Sequence, residues 1–190
     1  MKEPLAQRLR PRTLDEVCGQ RHLLAPGCVF RRAVSGPRVP NMIFYGPPGV
    51  GKTTVARILA KNSGMLLHQL NGTSAGTADI KSVLADVGTF GAHSGVLLYL
   101  DEIQYLNKKQ QQSLLECLED GSVTLIASTT ENPYFYVYGA ILSRSPELEF
   151  KSVHPEDVVP AVERAFAFCQ DERQQAMDDE DDDVTELAQA

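Results

Sequence analysis

Apolar and polar positions fall into blocks along this chain. Five short, mostly apolar runs stand out: Met42-Ile43-Phe44-Tyr45, Met65-Leu66-Leu67-His68-Gln69-Leu70, Val96-Leu97-Leu98-Tyr99-Leu100, Val123-Thr124-Leu125-Ile126-Ala127 and Leu148-Glu149-Phe150. Their lengths and flanking turn formers predict strands over about 41–45, 65–70, 96–100, 123–127 and 148–150. The run Val96 to Leu100 is continuously apolar, as a strand buried on both faces of a parallel sheet should be.

Between these runs the period changes to that of a helix. Val55, Ile58 and Leu59 share one face of a helix reaching about residue 62. Ile80, Val83, Leu84 and Val87 recur at i, i+3, i+4 and i+7, which predicts a helix over 77–89, broken from Phe90-Gly91 to Gly95. Asn107 is placed to cap a helix over 108–119 that turns Leu114, Leu115 and Leu118 inward and stops at Gly121. A shorter helix is expected from Val137 to Arg144. Residues 155–169 read as helical, with Val158, Val159, Val162, Ala165 and Phe166 on one side and Pro160 as the first ordered position. Ahead of the first strand, Pro11 interrupts any helix. Thr13 and Glu16 are spaced as a capping pair. Leu23, Leu24, Val29, Phe30 and Val34 then form an apolar helical face ending at Gly36-Pro37. Alternating strands and helices predict crossover connections, hence a three-layer α/β/α fold around a parallel five-stranded sheet.

Composition narrows this picture. The chain has 190 residues, 43% of them hydrophobic, enough for one domain or one domain plus part of another. It opens without the apolar core of a secretory signal, and no apolar run approaches the roughly 20 residues that span a bilayer, so a soluble, intracellular protein is expected. Cys18, Cys28, Cys117 and Cys169 form no C-x-x-C pair, and His22, His68, His93 and His154 are isolated, so no metal site or redox dithiol is assigned. The net charge of −7 is unevenly spread. Residues 171–190 carry nine acidic side chains and one basic one, residues 1–170 are close to neutral, and residues 1–38 carry eight basic against three acidic. The acidic block Asp178 to Asp183 predicts a disordered tail over 171–190. The basic start could meet phosphates, or pair with neighbouring carboxylates as a solvated face.

The first predicted strand runs into Gly46-Pro47-Pro48-Gly49-Val50-Gly51-Lys52-Thr53-Thr54, which fits G-x-x-x-x-G-K-[ST] in the strand–loop–helix setting this motif requires. Glycines let successive backbone N–H groups point inward at phosphate oxygens, and the following helix adds its positive end. Lys52 can reach β- and γ-phosphates, and the Thr53 hydroxyl can ligate Mg²⁺. The third run ends in Asp101-Glu102. Asp101 would hold Mg²⁺ through water, and Glu102 would polarise the attacking water. Asn132, beyond the fourth strand, can hold that water and touch the γ-phosphate. Arg144 is a candidate arginine finger acting on a neighbouring subunit's nucleotide. In a parallel sheet, ligands bind at the carboxyl ends of strands, where these groups fall.

With those elements the chain, over about 1–165, resembles the AAA+ ATPases. The stretch Leu9-Arg10-Pro11-Arg12-Thr13-Leu14-Asp15-Glu16-Val17-Cys18-Gly19-Gln20 looks like the N-terminal signature of clamp loaders and of the Holliday-junction branch-migration motor. Asp101-Glu102-Ile103-Gln104, Asn107 to Gln112, Glu119-Asp120-Gly121, Thr129-Thr130-Glu131-Asn132-Pro133-Tyr134-Phe135 and Ala140-Ile141-Leu142-Ser143-Arg144 are similar to the family of replication-associated recombination protein A and the Werner-helicase-interacting ATPase. The resemblance implies a cytoplasmic, nucleoid-associated ATPase, using ATP and Mg²⁺, that acts at stalled or damaged replication forks in DNA replication, recombination and repair. It implies DNA and single-strand-binding protein as partners, and a homo-oligomer or association with a full-length relative. It also implies that Val17 and Gln20 border the adenine pocket and that Asn132 is the nucleotide sensor. The domain reading is therefore a basic segment bordering that pocket over 1–38, an ATPase core over 39–152, the start of a helical lid over 153–170, and the acidic tail. The chain departs from the family in three places. Gln104 stands where a histidine is usual, and Pro146 where a second arginine is common. The lid with its sensor arginine and the oligomerisation region are largely missing. The competing expectation is a nucleotide-binding adaptor or truncated paralogue with little turnover. A small-molecule kinase is disfavoured by the adjacent carboxylates Asp101-Glu102 and by Arg144.

Overall fold

The computed structural model describes residues 4–36, 38–89, 92 and 94–187. Pro37, Phe90, Gly91 and His93, on which the expected helix breaks partly rest, lie outside the described residues, as do residues 1–3 and 188–190. Residues Pro11–Val153 form one compact unit; residues 1–10 and 154–190 form another.

In the larger unit the strands are β1 (Met42–Tyr45), β2 (Leu66–Asn71), β3 (Val96–Asp101), β4 (Val123–Thr129) and β5 (Glu147–Glu149). All pair in parallel, in the order β2-β3-β4-β1-β5. The expected five-stranded parallel sheet is present, with strand ends shifted by one or two residues. β3 is buried from Val96 to Leu100, and β4 is buried at every position but Thr124.

Side-chain alternation divides the core in two. Leu97 and Tyr99 of β3 pack with Val55, Ile58 and Leu59 of helix α4 (Lys52–Ser63). Val96, Leu98 and Leu100 pack with Ile80 and Val83 of helix α5 (Thr77–Ala85) and with Leu114 and Leu118 of helix α6 (Lys108–Glu119). Helices on both faces complete the three layers. Asn107 caps α6 as expected: its Oδ1 accepts the Gln110 N–H at 3.0 Å, and the Gln110 side chain accepts the Asn107 N–H at 2.9 Å.

Two expectations change in this unit. The segment before β1 contributes Leu14, Leu23, Leu24, Phe30 and Val34 to the core on the α4 side, within the unit Pro11–Val153. Its apolar face is split between helices α2 (Arg21–Leu24) and α3 (Val29–Val34), with Gly27 at φ +89° between them. The helix expected over 137–144 is two short helices, α7 (Pro133–Tyr136) and α8 (Gly139–Leu142). Val137 is extended and buried between them, and Asn132-Pro133 supplies an earlier start.

In the smaller unit, helix α1 (Leu5–Arg8) ends before Pro11, and α9 (Pro155–Leu187) is one helix. The Arg8 guanidinium bonds the Glu172 carboxylate and lies 4.7 Å from the Phe168 ring centre. Val158, Val159, Val162 and Phe166 are exposed. Over the expected tail, the described backbone is helical as far as Leu187. Charge repulsion in the acidic block opposes a helix. From Ala161 to Leu187, however, there is no glycine or proline, and Ala, Glu, Gln and Arg favour helix. Pro160 removes only the bond to the Glu156 carbonyl, and the helix passes through it. No helix among the described residues is long and apolar enough to cross a membrane.

Gly46, at the end of β1, has φ +135°, and a Cβ there would lie 2.0 Å from the Phe150 carbonyl oxygen. Gly46→Ala is expected to destabilise the fold by about 3 kcal/mol or more, because backbone must move. Gly49→Ala, also at positive φ but in open space, should cost only about 1–2 kcal/mol. Urea unfolding of the two variants checks the difference.

Candidate functional site

The carboxyl ends of β1, β3 and β4 meet at one edge of the sheet. β1 continues into the 46–51 loop, whose Gly46, Gly49 and Gly51 take φ of +135°, +76° and +100°. Gly51 then starts α4 with no side chain capping it, so the first N–H groups of the helix face the loop unclaimed by a cap. Lys52 is only 7% exposed. Its Nζ donates to the Gly46 carbonyl at 2.6 Å and the Pro47 carbonyl at 2.8 Å, so the loop curls around its own ammonium group. Burial lowers the Lys52 pKa, and the Glu102 and Asp101 carboxylates oppose that shift.

Tyr99 organises what lies beside the loop. Its hydroxyl is 3.0 Å from Thr53 Oγ1, 2.8 Å from Ser128 Oγ and 3.3 Å from Asp101 Oδ1. The Ser128 hydroxyl also donates to Asp101 Oδ1. A helix start and two strand ends thus share one buried hydroxyl. Thr53 and Asp101, both hard oxygen donors, flank it. No group of three or more His, Cys, Asp or Glu side chains able to hold a metal occurs among the described residues.

Glu102 follows β3 at φ +54°, ψ +52°, a left-handed conformation rare outside glycine. Its Oε2 accepts from Gln104 Nε2 at 2.5 Å, from Thr130 Oγ1 at 3.2 Å and from the Thr130 N–H at 3.4 Å. Gly72, after β2, crosses so closely that a Cβ would lie 2.2 Å from the Glu102 carbonyl oxygen.

The segment before the sheet reaches the loop. Val17 Cγ1 would be 3.5 Å from a Cβ on Gly51. Gln20, 5% exposed and at φ +54°, donates to the Lys151 carbonyl at 2.6 Å and the Val50 carbonyl at 3.4 Å, and accepts the Lys151 N–H at 2.9 Å. Residues 46–54, Val17, Gln20, Asp101 and Glu102 are therefore gathered together. Asn132 and Arg144 bond elsewhere. Asn132 Oδ1 caps α7 by accepting the Tyr134 N–H at 3.0 Å. Arg144 donates to Glu119 Oε1 at 2.7 Å, to the Ala140 carbonyl at 2.9 Å and to Ser143 Oγ at 3.2 Å.

Sequence reasoning missed Tyr99, Ser128, Thr130 and Gly72. For Tyr99 a signal existed: residues two apart on a strand share a face, so Tyr99 and Asp101 both look toward α4. The polar Ser128-Thr129-Thr130 at a strand end carried a similar signal. Nothing in the sequence pointed to Gly72, whose role depends on backbone from another strand.

Burial pushes the Tyr99 hydroxyl up to about 12, with its hydrogen bonds to Ser128 and Thr53 acting the other way. The folded protein then keeps a proton that the unfolded chain releases near pH 10.0. Stability is full below pH 10 and falls as pH rises toward 12, by about 2–3 kcal/mol from this group. Urea unfolding from pH 9 to about pH 11.5 should show the wild type losing stability relative to Tyr99→Phe; parallel curves would contradict it.

Comparison with known proteins places this geometry. Residues 9–133 match the family of the Holliday junction DNA helicase RuvB P-loop domain. An uncharacterised AAA domain-containing protein of Mycobacterium tuberculosis is 43% identical over 164 residues, covering 86% of this chain and 36% of that protein. Replication-associated recombination protein A of Coxiella burnetii is 39% identical, covering 86% of this chain and 37% of its own length. The chain thus spans little more than a third of these relatives. The Thermotoga maritima RuvB Holliday junction branch migration motor superposes with a TM-score of 0.71 at 27% identity, over 85% of this chain and 55% of that one. The phosphate loop, the sheet order and the match over 9–133 agree: the chain belongs to the RuvB P-loop family of AAA+ ATPase domains.

Proposed function

We propose that this chain binds ATP with Mg²⁺ and hydrolyses it in an oligomer, as a cytoplasmic protein acting on DNA in replication, recombination and repair at stalled forks. The observation that carries the reading is the meeting of Lys52, Thr53, Asp101 and Glu102 at the edge where the 46–51 loop opens. The loop N–H groups and the start of α4 cradle the phosphates, and Lys52 exchanges its loop carbonyls for β- and γ-oxygens. Thr53 and Asp101 would hold Mg²⁺, which when bound neutralises charge on those oxygens. Val17 and Gln20, against the loop, border the adenine. Glu102 polarises water, and Asn132 serves as sensor after leaving its cap on Tyr134. Arg144 reaches the nucleotide of a second copy or a longer relative. The name recombination protein carried by one relative supports DNA as the substrate class. Single-strand-binding protein belongs to the same reading as a partner.

One observation favours the second reading, a nucleotide-binding adaptor with little turnover. Arg144 is held by Glu119 and must let go before it can serve another subunit.

ATP hydrolysis measured against chain concentration, with and without forked DNA, tests the proposal. Turnover per chain should rise with concentration and respond to DNA. Glu102→Gln should cut it by about 10²-fold or more with ATP binding retained, and Arg144→Ala by about 10³-fold. ATP binding without turnover at any concentration would leave the adaptor.

A further inference from the structure

We propose that Gln104 is a positioning residue that fixes the Glu102 carboxylate for water activation; this rests on the ATPase reading of the site. All three hydrogen bonds to the carboxylate fall on one oxygen. Oε2 takes Gln104 Nε2, Thr130 Oγ1 and the Thr130 N–H. Oε1 takes none from the described residues. Oε2 is thus the anchored oxygen, and Oε1 is the one left to accept a proton from water. Such a division sets the carboxylate's rotation while sparing the oxygen that must accept a proton.

The anchor from Gln104 is the shortest of the three, at 2.5 Å, and the fold aims it. After the left-handed turn at Glu102, Ile103 to Tyr105 form one 3-10 turn closed by the Tyr105 N–H on the Glu102 carbonyl at 3.1 Å. Ile103 is fully buried beneath it. The turn folds the Gln104 side chain back onto the residue two places before it. The amide must present its nitrogen, because a carboxylate oxygen only accepts. That orientation leaves Gln104 Oε1 buried with no hydrogen-bond partner among the described residues. An unpaired buried carbonyl is costly and calls for an explanation. A packing role would be served as well by leucine, without the unpaired atom. The donor to Glu102 is what leucine cannot supply. Gln104 also has no proton to lose, so its anchor is the same at every pH at which the protein is folded.

The test is steady-state ATP hydrolysis by wild type, Glu102→Gln, Gln104→Leu and Gln104→His, with ATP affinity and urea midpoint measured on each. Gln104→Leu should lower kcat about tenfold, since a carboxylate misplaced by a fraction of an ångström loses much of its effect. Its KM, ATP affinity and urea midpoint should match wild type. Gln104→His, assayed at about pH 8 where the imidazole is neutral but keeps an N–H, should recover most of the loss. Wild-type kcat in Gln104→Leu, with Glu102→Gln inactive, overturns this inference and leaves the ATPase reading standing. Equal losses in kcat, ATP affinity and urea midpoint also overturn it, because they mark a structural role. No turnover in wild type itself overturns the ATPase reading and this inference with it.

Discussion

The Tyr99 hydroxyl is the constraint on which this site depends. Tyr99 is only 2% exposed and its ring belongs to the core on the α4 side, so its hydroxyl must find partners within the protein. It does so with Thr53 at the start of α4, Ser128 near the end of β4, and Asp101 at the end of its own strand. Ser128 is itself fully buried, so its bond to Tyr99 satisfies two buried hydroxyls at once. One buried group therefore sets the spacing between the helix that follows the phosphate loop and the carboxylates opposite it. Lys52 feels the result: burial works against its charge, and Asp101 and Glu102 work for it.

Around that hydroxyl, the backbone does what side chains cannot. Gly46 passes under the Phe150 carbonyl and Gly72 under the Glu102 carbonyl, both too close for any Cβ. These crossings hold β1 against the chain leaving β5, and the end of β2 against Glu102. Val17 and Gln20 close the other side, with Gln20 tied to the backbone of Lys151 and Val50. The loop is thus braced by segments from both ends of the 11–153 unit.

The fold was largely legible because its signals are local and periodic. Val96 to Leu100 could only be an interior strand, and Asn107 with Gln110 announced a helix start. That the 46–54 loop, Asp101 and Glu102 meet at one edge was legible because they follow the carboxyl ends of parallel strands. What stayed hidden depends on partners distant in sequence. Tyr99 passed as one more apolar residue until Thr53 and Ser128 were seen beside it. Thr130, not Asn132, bonds Glu102 in this structure, and only the turn after β4 decides which of these neighbours faces the carboxylate. Residues 171–187 set charge repulsion against helix propensity, and the sequence pattern alone does not weigh one against the other.

On the proposed function, this edge takes up a magnesium–nucleotide complex before any partner joins. Equilibrium titration of the wild-type chain with ATP, in Mg²⁺ and again in a chelator, tests it most directly. The account predicts saturable binding that is markedly tighter with Mg²⁺, because Thr53 and Asp101 are already in place around Tyr99. Absence of binding, or binding indifferent to Mg²⁺, would contradict it.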